Sequence, residues 1–457
     1  VIHKFRLAIV PAFLLLCLLF GGASAAGFWA NMVLQLIALA IIVWAALVER
    51  QTPLAAPARR LLVLLGLALA LAALHLIPLP PAIWTSFAGR ESVAQGYRML
   101  GEPLPWLPLS LAPYRTWGSV LWLLPAIATL LGMLRLGGFR SSWIAWVLCG
   151  VTIVSVTLGA VQIAGGQDSP FYFYQITNWG KAVGFFANSN HMGMLMVATV
   201  PFLAALFFDA KAKGRSINRA SGLAVMLAGA LAVIAVGIAI NASLAGMGLI
   251  IPVAGISMFA LGSRNRKRIA FGAIAGAVLL VAAVVLVFTA PVGGDLTSAS
   301  ASDTGSRYFF LTTTMKAVAD FFPWGTGLGT FVDVYPMYED PAGVTRLFAN
   351  HAHDDYVELL LETGVPGVLL VLVFLLWFGA RTVAVWRAEQ PDYFARAATV
   401  AGGALLAHSF VDYPLRTAAL SALFAVCCAL MAEARPRARR RHQPKETPST
   451  VRHLSAD

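Results

Sequence analysis

The chain has 457 residues, of which 59% are hydrophobic and only 12% charged, with a mean hydropathy of +0.77 and a formal net charge of +12. Soluble domains carry about 25% charged residues, so soluble enzymes, disulfide scaffolds, coiled coils and disordered chains are excluded. Membrane-crossing helices take about 20 residues each, and the class that remains is an all-α polytopic membrane protein.

In chain order, apolar segments fall at 7–26, 29–48, 61–79, 117–135, 142–164, 186–208, 221–240, 243–261, 270–290, 357–379, 396–412 and 414–432. That predicts about twelve transmembrane helices. The first segment also has a second reading as a signal peptide, because Lys4 and Arg6 precede a short apolar core and Ala23-Ser24-Ala25 resembles a cleavage site. The four cysteines, Cys17, Cys149, Cys427 and Cys428, sit inside apolar runs and are read as small hydrophobes, with no disulfide or metal role.

Of the 33 Lys and Arg residues, 25 fall in alternate connections and in the two terminal segments. The positive-inside rule then places both termini in the cytoplasm. The basic tail needs only this rule and anionic lipid, so no nucleic-acid partner is expected. The long connections 80–116, 165–185 and 291–356 consequently face outward, and the work of the protein is expected there. Residues 291–306 are small and polar and read as a flexible gate or hinge. A short helix is expected over 306–322, ended by Pro323. The Gly325-x-Gly327-x-Gly329 run follows no strand and precedes no Lys-Ser/Thr, so it reads as a turn packed against other backbone rather than a nucleotide cradle.

Three polar groups stand at outward helix ends: Asn188-Ser189-Asn190-His191, Asn350 to Tyr356, and His408, Asp412, Tyr413 and Arg416. Such groups are costly beside a span and are functional candidates by default, and lining one cavity is the arrangement they suggest. Asp355-x-x-Glu358 ahead of an apolar run is a helix-start pattern, with Asp355 as N-cap and Glu358 reaching back. His353 then lies just outside the helix N-terminus, whose dipole favours the neutral imidazole that accepts a proton from a sugar hydroxyl. A metal set of His351, His353 and Asp355 is a rival reading, weakened by the absence of H-E-x-x-H or a nearby Cys. Interfacial histidines without a role are the plain alternative. Arg307 and Arg346 share the outward loop and suit bidentate phosphate recognition, unless they are only solvated charges.

Taken together, these residues resemble the O-antigen ligase and polymerase family of membrane glycosyltransferases (Wzy/WaaL type). His353-Asp354, nine residues, then Gly364-Val365-Pro366-Gly367 is similar to that family's histidine motif. The runs Gly184 to His191, Gly305-Ser306-Arg307 and Pro323 to Gly329 match as well, and the resemblance covers roughly 180–380. Asp354 stands where an amide is usual, and Leu244 where members often carry an arginine. Arg346, Lys181 or Arg416 are the candidates to replace that cation.

The resemblance implies a GT-C-like bundle with a large periplasmic loop between spans nine and ten. The organisation expected is 1–180 N-terminal spans, 181–380 ligase-like core including loop 291–356, 381–432 last two spans and 433–457 basic tail. It implies transfer of a glycan from an undecaprenyl-pyrophosphate donor to a glycan or lipid A-core acceptor hydroxyl. The site would face the periplasm from the bacterial inner membrane, with membrane lipid as a further partner and no cofactor or metal. By analogy His353 would act as general base and Arg307 would stabilise the pyrophosphate leaving group, while Arg346, His351, Asn188, Asn190 and Asp355 are further substrate-binding candidates from the residues themselves. A transporter or flippase of lipid-linked glycan is the competing class, disfavoured by the lack of an internal repeat and of mid-span charges.

Overall fold

A computed structural model of the chain describes residues 2–25, 27–49, 53–214, 217–265, 267–272, 274–276, 278, 298–341 and 349–434, with backbone alone for 2–5, 217–220 and 298–308. It is helical almost throughout. The helices in order are α1 (Ile2–Phe20), α2 (Phe28–Leu47), α3 (Ala56–Leu74), α4 (Pro81–Trp84), α5 (Glu91–Met99), α6 (Pro113–Leu134), α7 (Ser141–Ala164) and α8 (Ser189–Ala212). They continue with α9 (Ile217–Asn241), α10 (Leu244–Gly255), α11 (Ser298–Phe321), α12 (Phe331–Val334), α13 (Asp355–Arg387), α14 (Tyr393–His408) and α15 (Ala418–Glu433). Two-residue strands β1 (Pro78–Leu79) and β2 (Leu107–Pro108) pair antiparallel between α3 and α6.

Among the described residues, seven helices are long and apolar enough to cross a membrane: α2, α3, α6, α7, α8, the 221–241 part of α9, and α13. Shorter apolar helices stand at Arg6–Phe20, Leu244–Ala260 and Ala418–Glu433. Together with α14, these match eleven of the twelve expected segments; most of the twelfth, 270–290, lies outside the described residues. The protein is thus an all-α polytopic membrane protein. Burial separates inner from outer helices. In α8 the apolar window is 83% buried, whereas in α3 it is 17% buried and in α2 and α9 28%. The exposed side chains of α2, such as Phe28, Trp29, Leu36 and Leu47, are apolar, a surface that needs lipid as solvent. Buried α15 carries Ala418, Ala419, Ala422, Ala425, Ala429 and Ala432, and small side chains let backbones approach closely in membrane bundles.

The two ends of the bundle differ. At one end, arginines close off helix carbonyls that have no intrahelical partner. Arg135 donates to Ala45 O and Val48 O (2.6 and 3.2 Å), and Arg381 to Met431 O (2.7 Å). Arg396 is buried, donates to Leu261 O and Ser263 O (3.0 and 2.7 Å), and lies over the Trp386 ring. At the other end the long connections meet: Leu111 N donates to Thr326 O, Ala187 N to Gly22 O and Asp355 N to Ser409 O, while Arg115 pairs with Asp333.

Two local expectations change. Helix α11 begins at Ser298, so 298–306 continues the helix expected from 306 rather than forming a hinge; residues 291–297 lie outside the described residues. Helix α13 runs 33 residues but contains Gly364 at φ 58°, ψ −152°, a conformation essentially reserved for glycine. The break frees backbone groups that need new partners, and the Gly325-x-Gly327-x-Gly329 turn supplies them. Thr326 N donates to Leu361 O, Gly327 N to Glu362 O and Val365 N to Pro323 O, at 2.8–3.0 Å. A Cβ on Gly364 would stand 2.1 Å from Pro323 O. The turn is packed against backbone, as expected.

Candidate active site

The N-terminus of α13 starts one residue earlier than its capping pattern suggests. Asp354, not Asp355, is the N-cap: its Oδ1 accepts from Tyr356 N and Val357 N at 2.9 and 3.1 Å. Burial pushes the Asp354 carboxyl up to about 6, against the pull of those two donors. Glu358 does reach back past the cap. Its Oε2 accepts from Ala352 N at 2.8 Å, and its Oε1 lies 2.9 Å from His351 Nδ1.

Asp355 turns inward instead, accepting from Ser409 Oγ at 2.8 Å and facing Arg416 Nε at 3.3 Å. Asp355, Glu358 and Glu362 follow one face of the helix at i, i+3 and i+7, and Arg416 meets all three. Its Nη2 is 3.3 Å from Glu358 Oε1 and 3.2 Å from Glu362 Oε2. Burial alone would weaken the guanidinium charge, but Glu358, Glu362 and Asp355 outweigh it and drive the Arg416 pKa up. Arg416 is therefore already engaged by three protein carboxylates. Lys181 is exposed, and Leu244 opens α10 half-exposed.

His353 sits in the same entry turn with φ +55°, left-handed backbone that costs a non-glycine residue about 1–3 kcal/mol. That turn brings its Nδ1 to 3.2 Å from Asp412 Oδ1, close enough for an ion pair though off the line of a hydrogen bond. The ring stacks on Phe310 (5.4 Å between centroids, 23°) and meets Tyr413 edge-on (5.0 Å, 69°). Asp412 is wholly buried, with Asn188 Nδ2 at 3.4 Å from its Oδ2. Burial opposes its charge, yet the His353 contact and the nearby His191 and His408 outweigh it and hold the carboxyl well below the usual range.

Tyr413 is the hub. The rings of His351 and His191 lie 4.3 and 5.1 Å from its own, and Asn350 Nδ2 and Asn188 Nδ2 reach its hydroxyl at 3.3 and 3.5 Å. Asn188 also N-caps α8, accepting from Asn190 N, and Asn190 accepts from Ser243 Oγ at 2.7 Å. The three polar groups named from the sequence thus converge on one cluster. Phe310, Glu358 and Glu362 were absent from the expected site. For the two glutamates the signal was available: three carboxylates on one face at the start of an apolar span require a buried cation.

His351, His353 and Asp355 go to Glu358, Asp412 and Arg416 respectively, so the rival metal set is not assembled, and among the described residues no three His, Cys, Asp or Glu side chains form such a group. The Arg307 backbone lies in α11 one turn before Phe310, but its side chain, and all of Arg346, lie outside the described residues.

Fold and site together define a multi-pass helical membrane protein with two imidazole–carboxylate contacts gathered at its loop end. Residues 229–372 match the O-antigen ligase family (Wzy_C), a domain match that supports assignment to the O-antigen ligase and polymerase family and a role in surface polysaccharide biosynthesis. The matched stretch contains His351, His353, Glu358 and Glu362; Asn188 and Asn190 precede it, and Asp412, Tyr413 and Arg416 follow it. Comparison with curated proteins gives no match.

Proposed function

We propose that the protein transfers a glycan from an undecaprenyl-pyrophosphate donor to a sugar hydroxyl of a second glycan or lipid A-core, at the periplasmic face of the bacterial inner membrane. The observation that carries this reading is His353: a strained, partly exposed imidazole with a wholly buried carboxylate at its Nδ1, inside the segment that matches the ligase family. With Asp412 facing Nδ1, the Nε2 lone pair is the one left for substrate. It accepts the proton of the acceptor hydroxyl as that oxygen bonds to the anomeric carbon of the donor sugar. The bond from that carbon to the phosphate oxygen breaks, and the pyrophosphate leaves with the electron pair. Asp412 stabilises the imidazolium until its proton is lost to solvent, as a buried carboxylate does in hydrolase triads. Phe310 and Tyr413 hold the ring in place.

Arg307 is assigned to the departing pyrophosphate and Arg346 to its support. No step requires a metal. The test is the surface-glycan profile of a deletion strain carrying variants at normal expression. His353→Ala abolishes the polymer or ligated product, and Arg307→Ala costs about 2–4 kcal/mol of transition-state stabilisation, on the scale of a lost oxyanion donor. Full product with His353→Ala would refute the reading.

A further inference from the structure

We infer that His351 is a specificity-determining residue of the acceptor subsite, accepting a hydrogen bond from a hydroxyl adjacent to the reacting one. The inference rests on the transfer reading above and deepens it. His351 is not a bystander in its turn. Its Nδ1 lies 2.9 Å from Glu358 Oε1, and both oxygens of that carboxylate are otherwise engaged, Oε1 by Arg416 Nη2 at 3.3 Å and Oε2 by Ala352 N at 2.8 Å. A carboxylate pinned in this way acts only as acceptor, so in the neutral ring the proton is on Nδ1 and the Nε2 lone pair points elsewhere. Among the described residues nothing bonds the Nε2 of either His351 or His353.

The two rings share a wall. His351 packs on Tyr413 at 4.3 Å and His353 meets it at 5.0 Å, while Asn350 and Asn188 fix the tyrosine hydroxyl. Their side chains are 14% and 22% exposed, in a cluster where Glu358, Glu362 and Asp412 are 0–1% exposed. The cluster therefore offers substrate two neighbouring imidazole acceptors from one turn. A phosphate oxygen is the poorer occupant at His351, because it needs a donor and would join Asp355, Glu358 and Glu362, which among the described residues share Arg416. Neighbouring hydroxyls of one sugar ring fit: one gives its proton to His353, and the next is read by His351.

The experiment uses the full-length purified protein with the host's lipid-linked glycan as donor. Once NMR of the product gives the linkage, the acceptor sugar is synthesised with and without the hydroxyl next to the linked position. Wild-type protein is expected to lose about tenfold in kcat/KM on the deoxy acceptor, the scale of one lost hydrogen bond. His351→Ala shows the same loss on the full acceptor, through KM, and no further loss on the deoxy acceptor. His351→Gln, which restores a side-chain acceptor, recovers part of it, and the donor KM stays unchanged. Equal use of both acceptors by the wild type overturns the inference and leaves the transfer reading standing. So does a His351→Ala loss of equal size on both acceptors, the mark of a merely structural role. Absence of any transfer by the wild type overturns the transfer reading itself.

Discussion

Arg416 separates what a sequence offers from what a fold decides at the residue scale. As an outward arginine beside a helix end it reads equally well as a phosphate ligand or a structural cation. Its three carboxylate partners lie 54 to 61 residues earlier in the chain, beyond any local pattern. Removing it strands Asp355, Glu358 and Glu362 in a buried site. An uncompensated buried charge costs about 3–5 kcal/mol, so Arg416→Leu should lower the denaturation midpoint of the purified protein markedly, with little folded protein recovered. A stable Arg416→Leu protein with only a raised donor KM would return the residue to the donor site. The Asp354 cap was legible within one position, because neighbouring aspartates satisfy the same capping pattern and only the direction in which each side chain turns distinguishes them. His353 stands out in the sequence through its motif resemblance; its contact Asp412, 59 residues on, is visible there only as a polar residue in an unfavourable place.

At the scale of elements, the break in α13 and the glycine turn after α11 are one device. The turn closes the hydrogen bonds that the break opens, and so fixes Glu362 against Phe331 N and the helix start against the loop. Gly364→Ala places a Cβ 2.1 Å from Pro323 O at a φ of 58°. Conformational strain of about 1–3 kcal/mol plus the clash should destabilise the protein and reduce transfer, since both histidines hang from this helix start. Unchanged melting and activity in Gly364→Ala would show that the two segments are not coupled. The sequence identified the turn as close-packed, because glycines at alternate positions without a phosphate-binding signature leave little else. It misread 298–306, where a run of Ser, Ala, Thr and Asp is as compatible with a helix continuing into 306–321 as with a hinge. The start of α3 at Ala56 rather than 61 has a similar cause: Ala-Pro-Ala-Arg-Arg is polar on a hydropathy scan but forms a good first helical turn, with Pro57 near its start.

For the whole molecule, composition and periodicity carry most of the fold, because lipid tolerates only long apolar helices whose backbone is satisfied internally. The charge asymmetry acquires a structural counterpart at the basic end, where Arg135, Arg381 and Arg396 close helix carbonyls. Reporter fusions after Lys213 and after Asp168 should report cytoplasm and periplasm respectively; the reverse pattern would put the histidine cluster on the wrong side for a periplasmic transfer. What the chain pattern does not carry is the convergence of α8, α13 and the 409–417 turn, since their approach depends on packing between segments from 54 to 225 residues apart. The most direct measurement is glycan transfer by purified protein from lipid-linked donor to acceptor in the presence of EDTA. The wild type should remain active. Asp412→Asn should fall by at least about 10²-fold and His353→Ala by about 10²–10⁴-fold, the contribution of a general base, with all three proteins folded. Loss of wild-type activity in EDTA, or wild-type rates from His353→Ala, would contradict the account.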